Sequence, residues 1–97
     1  MEIIIKPPCT GKTTELIKKS AETWTYIVTA DRNRADHVAK MAKDMGIDIP
    51  HPIGFNDFLE CRMRTPVKEV LIDDADDCLR YLFGRVNISA ITMRGEP

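Results

Sequence analysis

Lys6-Pro7-Pro8-Cys9-Thr10-Gly11-Lys12-Thr13 (KPPCTGKT) decides how the rest of this 97-residue chain is read. The β-branched run Ile3-Ile4-Ile5 precedes it and a helical pattern follows it. A strand, a Gly-Lys-Thr turn and a helix are what a phosphate-binding loop requires. Gly11 lets the backbone turn so that successive N–H groups face an anion. Lys12 reaches the outer phosphates as a point charge. The Thr13 hydroxyl is suited to ligate Mg²⁺. The helix beginning near Lys12 aims its positive end at the phosphates. The usual first glycine of the pattern is replaced by Lys6, and Pro7 and Pro8 remove two donors while stiffening the loop. The donors most needed, on Cys9, Thr10, Gly11, Lys12, Thr13 and Thr14, are intact, and these six form the candidate nucleotide-binding set. A bare Gly-Lys-Thr arises by chance, so the neighbouring segments and a matching acid motif carry the weight.

That acid motif is Glu69-Val70-Leu71-Ile72-Asp73-Asp74-Ala75-Asp76-Asp77, an apolar strand running into carboxylates. An Asp at the strand end, here Asp73, can hold Mg²⁺, and the next acid, Asp74, can orient or deprotonate an attacking water. Lys12, Asp73 and Asp74 are therefore the catalytic candidates, with Thr13 and Asp73 for the metal. The plainer alternative is a run of helix-capping acids, with Asp74 or Asp76 as cap and Asp77 in solvent.

Outward from these motifs, short apolar runs alternate with helical patterns. Thr13 to Glu22 reads as a helix and Tyr26-Ile27-Val28-Thr29 as a second strand. Asp31 can cap a helix continuing to about Met45, with Ala35, Val38, Ala42 and Met45 as its buried stripe and Gly46 as its stop. Ile47-Asp48-Ile49 reads as a short strand ended by Pro50 and Pro52. Phe55, Phe58, Leu59 and Met63 suggest a short helix. Val67 to Ile72 reads as a strand, Ala75 to Phe83 as a helix stopped by Gly84, and Val86 to Met93 as a last strand. Strands alternating with helices imply right-handed crossovers and a mostly parallel sheet covered on both faces. The expected class is α/β, a three-layer α-β-α sandwich of about five strands in a single domain spanning 1–97. Ligands of such sheets sit at the carboxyl ends of the strands, where both motifs fall.

Composition narrows the function classes. A net charge of −1 gives no bulk attraction to nucleic acid. Cys9, Cys61 and Cys78 are odd in number and form no CxxC, which argues against a disulfide framework or a zinc site. No segment resembles a signal peptide or a membrane span. The expected compartment is the reducing cytoplasm, that of a host cell if the chain is viral.

Taken together, the chain resembles the RecA-like branch of P-loop NTPases, and more narrowly the first lobe of helicase-type motors or a small phage-type ATPase of that design. Thr10-Gly11-Lys12-Thr13-Thr14 matches Walker A. Val70-Leu71-Ile72-Asp73-Asp74-Ala75-Asp76 matches Walker B and resembles the Asp-Glu-Ala-Asp signature, with Asp74 in place of Glu. The resemblance implies an ATP-binding, Mg²⁺-dependent ATPase with a sheet order of the 5-1-4-3-2 kind, the sensor strand lying between the Walker A and Walker B strands. It makes Thr92 a sensor candidate for the γ-phosphate. It also likens Ile27-Val28-Thr29-Ala30-Asp31-Arg32 to a helicase segment that meets single-stranded nucleic acid. A chain of this length holds one lobe at most, so a homo-oligomer, or a partner ATPase or replication protein, is expected to supply an arginine finger. Arg80, Arg85 and Arg94 are the candidates, although a solvated arginine is the commoner reading of each.

Two other functions stay open. The chain can be a nucleotide-binding module that does not hydrolyse and instead regulates a partner. Alternatively, Gly11-Lys12-Thr13-Thr14-Glu15-Leu16-Ile17 is similar to the loop-helix segment of thymidine kinases, which implies phosphoryl transfer to a nucleoside. The zinc-bound lasso of those kinases has no cysteine pairs to support it here. Arg32, Arg34, Lys40 and Lys43 form either a basic patch for DNA phosphates or a solvated helix face. Trp24 and Tyr26 either stack bases or pack at the domain edge. His37 and His51 read as surface histidines.

Overall fold

The computed structural model describes residues 4, 11–61, 68–84, 89, 90 and 92. Its elements are α1 (Lys12–Thr23), β1 (Ile27–Thr29), α2 (Arg32–Asp44), β2 (Ile53–Gly54), α3 (Phe55–Cys61), β3 (Leu71–Ile72) and α4 (Ala75–Phe83). The three strands form a parallel sheet in the order β2-β1-β3. Val28 and Thr29 stand opposite Ile53 and Gly54, while Ile27 and Val28 stand opposite Leu71 and Ile72. The molecule is thus mixed α/β with a parallel sheet, as expected from the alternation of elements. The two further strands expected over Ile3–Ile5 and Val86–Met93 lie almost wholly outside the described residues. Of the expected N-terminal strand, Ile4 is described, and it packs against the core.

Local chemistry sets the element ends. The Asp31 carboxylate accepts from the Arg34 N–H at 2.8 Å, so the expected cap of α2 is in place. At its other end Gly46 takes φ +70, the Gly46 N–H bonds Lys43 O and the Ile47 N–H bonds Ala42 O, which closes the helix. α1 ends differently. Trp24 takes the left-handed conformation at φ 54 and donates to Ser20 O. The Ser20 hydroxyl, fully buried, donates to Thr25 O at 2.6 Å and ties the turn into β1.

The core lies where α1, α2 and β1 meet. Leu16, Ile17, Ile27, Val38 and Ala42 form its centre, and Met41, Ile47, Ile49 and Leu71 pack around them. Each fully buried Ile or Val contributes roughly 1.5–3 kcal/mol from desolvation. Burial of β1 is continuous, as in a strand covered on both faces.

One expected element moves. Ile47-Asp48-Ile49 is not a strand; the short strand after α2 is Ile53–Gly54, which pairs with β1. Ile47 is committed to the helix stop, and Pro50 and Pro52 have no N–H to give to a ladder. Pairing therefore starts only after Pro52. Gly54 is the residue that makes it fit: a β-carbon there would lie 3.0 Å from Arg32 N and from Asp31 C.

Candidate functional site

In a parallel sheet the carboxyl ends of the strands share one edge, and the two sequence motifs meet there. Gly11 precedes α1 at φ 88, ψ 18, with no side chain capping the helix. A β-carbon at Gly11 would touch nothing within 4 Å. Glycine is thus favoured by the backbone conformation rather than by space. Lys12 and Thr13 are the first two residues of α1, so both side chains start at its positive end.

Asp73 follows β3 directly. Its N–H donates to Val28 O at 3.0 Å, which extends the ladder by one bond and fixes the residue against β1. Its side chain is buried, and the Thr13 hydroxyl donates to the carboxylate, 3.3 Å from each oxygen. Sixty positions separate the two residues in sequence. Burial raises the Asp73 carboxyl above its ordinary range, and the charge of Asp74 pushes the same way; the Thr13 hydroxyl, Lys12 and Arg34 pull it back.

Asp74 stands at the N-cap of α4 in the left-handed region, φ 54, ψ 64, and its side chain does not cap the helix. For most residues with a β-carbon this backbone costs about 1–2 kcal/mol, and less for Asp, which adopts it more often. The Asp74 carboxylate instead lies 2.8 Å from Lys12 Nζ. The hydrogen bond and the charge of Asp74 hold the Lys12 ammonium above its usual value. The site is therefore two adjoining pairs, Thr13 with Asp73 and Lys12 with Asp74. The capping alternative for Asp74 fails on its side-chain geometry, although its carbonyl does accept the Cys78 N–H at 3.1 Å.

Other candidates fall variously. Thr14 is half-buried in the first turn of α1. Cys9 and Thr10, like Arg85 and Arg94, lie outside the described residues. Thr92 is exposed and belongs to no helix or strand. Arg80 is exposed and lies 3.5 Å from Asp77 on its own helix. The expected basic patch on α2 is half neutralised: Arg32 pairs with Asp57 at 3.1 Å and Arg34 pairs with Asp77. Asp77, read as a solvated acid, thus joins α2 to α4. Lys40 and Lys43 remain exposed. Thr29 is buried and donates to Asp31 O at 2.7 Å, which turns it away from any external nucleic acid. Trp24 and Tyr26 are exposed, but they precede β1 and so lie at the opposite edge of the sheet from Lys12 and Asp73. His51 is exposed, 3.8 Å from Asp36, and His37 is exposed too.

A cleft of about 280 Å³ at the carboxyl ends of β1 and β2, lined by Ala30, Asp31, Arg32, Gly54, Asn56 and Asp57, went unread in the sequence. Its available signal was Gly54, since a glycine inside a strand pattern marks a close backbone approach.

Among the described residues no group of three or more His, Cys, Asp or Glu could hold a metal ion by itself. The hydroxyl and carboxylate of Thr13 and Asp73 nevertheless suit Mg²⁺, which takes oxygen ligands and usually completes its shell with phosphate and water. Among known proteins, no family model, no curated sequence and no solved structure matches the chain.

Proposed function

We propose that this protein is a Mg²⁺-dependent P-loop NTPase, binding ATP or a related triphosphate on a RecA-like, five-stranded α-β-α sandwich. The observation that carries the reading is the meeting of Thr13 with Asp73 and of Lys12 with Asp74 at one sheet edge. Two motifs whose residue types suit a triphosphate, 60 positions apart, fall within hydrogen-bond distance of each other. Chance motifs have no reason to do so.

The residues divide the work. First-turn N–H groups of α1 and the Lys12 ammonium receive the phosphates. Thr13 and Asp73 are the residues that would hold Mg²⁺, which when bound offsets charge on the β- and γ-phosphates. Lys12 and Asp74 are both partly exposed, so their ion pair is readily exchanged for a more highly charged phosphate. That exchange frees the Asp74 carboxylate to orient a water and accept its proton.

The test is phosphate release from ATP with Mg²⁺, with and without single-stranded DNA, over a range of protein concentrations. Wild type should turn over and Lys12→Ala should not. Turnover by both proteins at one rate, or by neither, would contradict the proposal.

One observation favours a second reading, a module that binds nucleotide without hydrolysing it. Asp74 is one methylene shorter than the more usual Glu, and the structure ties it to Lys12. ATP and Mg²⁺ would then raise the melting temperature with no product formed. A Lys12→Ala variant stabilised as much as wild type would reject this reading.

A further inference from the structure

The strained turn at Asp73-Asp74 needs something to hold it. A residue with a β-carbon stays in the left-handed region only where its surroundings over-determine it. On the strand side the Asp73 N–H is fixed to Val28 O. On the helix side Cys78, buried in α4, donates its Sγ–H toward Asp73 O at 3.7 Å. Across the first turn of α4, Asp77 is gripped from outside that helix by the guanidinium of Arg34.

Arg34 is itself anchored twice. Its backbone N–H is the group that Asp31 caps, and its side chain reaches Asp77, 43 positions away. The first turn of α2 packs by its backbone against Gly54, so it is a firm base. Arg34 also lies close enough for its charge to act on Asp73.

We propose that Arg34 is a positioning residue of the nucleotide site: its ion pair with Asp77 locks the start of α4 and so keeps Asp74 aimed beside Lys12. This rests on the triphosphatase reading above. α1 receives the phosphates independently of this pair, so losing it should spare binding and damage the chemical step. A catalytic group displaced by about 1 Å can lower a rate about 100-fold.

The experiment compares steady-state ATP turnover, melting temperature and pH–rate profile for wild type, Arg34→Ala, Arg34→Lys, Asp77→Asn and the Arg34→Ala/Asp77→Asn double variant. Asp77→Asn keeps shape and guards against a failure of Arg34→Ala to fold. The expected result is a fall in kcat of at least about tenfold for Arg34→Ala and for Asp77→Asn, with KM for ATP within about threefold of wild type. The double variant should be no slower than the worse single one, because both changes break the Arg34–Asp77 pair and the Asp77–Arg80 contact is lost in Asp77→Asn and the double variant alike. Arg34→Lys, which keeps the charge, should turn over faster than Arg34→Ala and more slowly than wild type. Single variants within twofold of wild-type kcat, effects that multiply in the double variant, or kcat losses that simply track lower melting temperatures would each overturn the proposal while leaving the function intact. A wild type with no turnover would remove both together.

Discussion

At the scale of the residue, Asp73 carries a cost that the proposed function would explain. Burial first, and Asp74 next, hold its carboxyl above the ordinary value of 3.8. An acid raised on folding binds its proton more tightly in the folded chain. Its contribution to stability is full below about pH 3.8 and is lost as pH rises through the raised value. At neutral pH without ligand, the ionised Asp73 therefore opposes folding. Asp73→Asn should raise the melting temperature at pH 7 by a few degrees, and the gap to wild type should narrow as the pH falls toward 4. A variant less stable than wild type at pH 7 would contradict this. The same substitution should abolish Mg²⁺-dependent turnover, the trade of activity for stability expected of strained sites. Lys12 is the complementary case. Its raised value keeps it cationic, so Asp74 remains paired with it up to strongly alkaline pH.

At the scale of the element, the ends of α2 were legible in sequence because their signals are local. Asp31 caps three residues ahead and Gly46 turns left-handed at the stop. The nearness of Thr13 and Asp73 was legible for another reason: the residue types around Gly-Lys-Thr and before Asp73 assign both residues to one expected metal ion. What escaped was the long-range fit. The short strand after α2 was misplaced because apolar character at Ile47 and Ile49 served core packing instead of a ladder. Asp77 looked like a solvated acid because its partner, Arg34, comes 43 positions earlier. Gly54 looked ordinary because the backbone it touches belongs to the start of α2. That contact makes a prediction. Gly54→Ala forces a β-carbon to 3.0 Å from two backbone atoms, which cannot swing aside as a side chain could. It should cost about 1–3 kcal/mol in denaturant unfolding, the range of an overpacked interior. A loss below about 0.5 kcal/mol would mean that β2 and α2 separate freely.

At the scale of the whole molecule, the described chain is a small α/β unit with a three-stranded parallel sheet, and no described helix is long and apolar enough to cross a membrane. In the proposed function, its candidate site offers Lys12 to the phosphates and Asp74 to the water. The three described arginines are already paired: Arg32 with Asp57, Arg34 with Asp77, and Arg80 with the same Asp77. If a neighbouring copy completes the site, ATP turnover per chain should rise with protein concentration and level off as assembly saturates. A rate per chain that is constant across a hundredfold dilution would identify a self-sufficient monomer. Such measurements need an optical probe, and Trp24 determines which. It is the only tryptophan of the chain, and 62% of its surface faces water in the folded state. Its indole already emits in a solvent-like setting, so its fluorescence will barely change colour when the protein unfolds. Melting curves for every variant above should be followed by helical circular dichroism, and the same exposed ring then becomes useful as a native reporter of whatever docks at that end of the sheet.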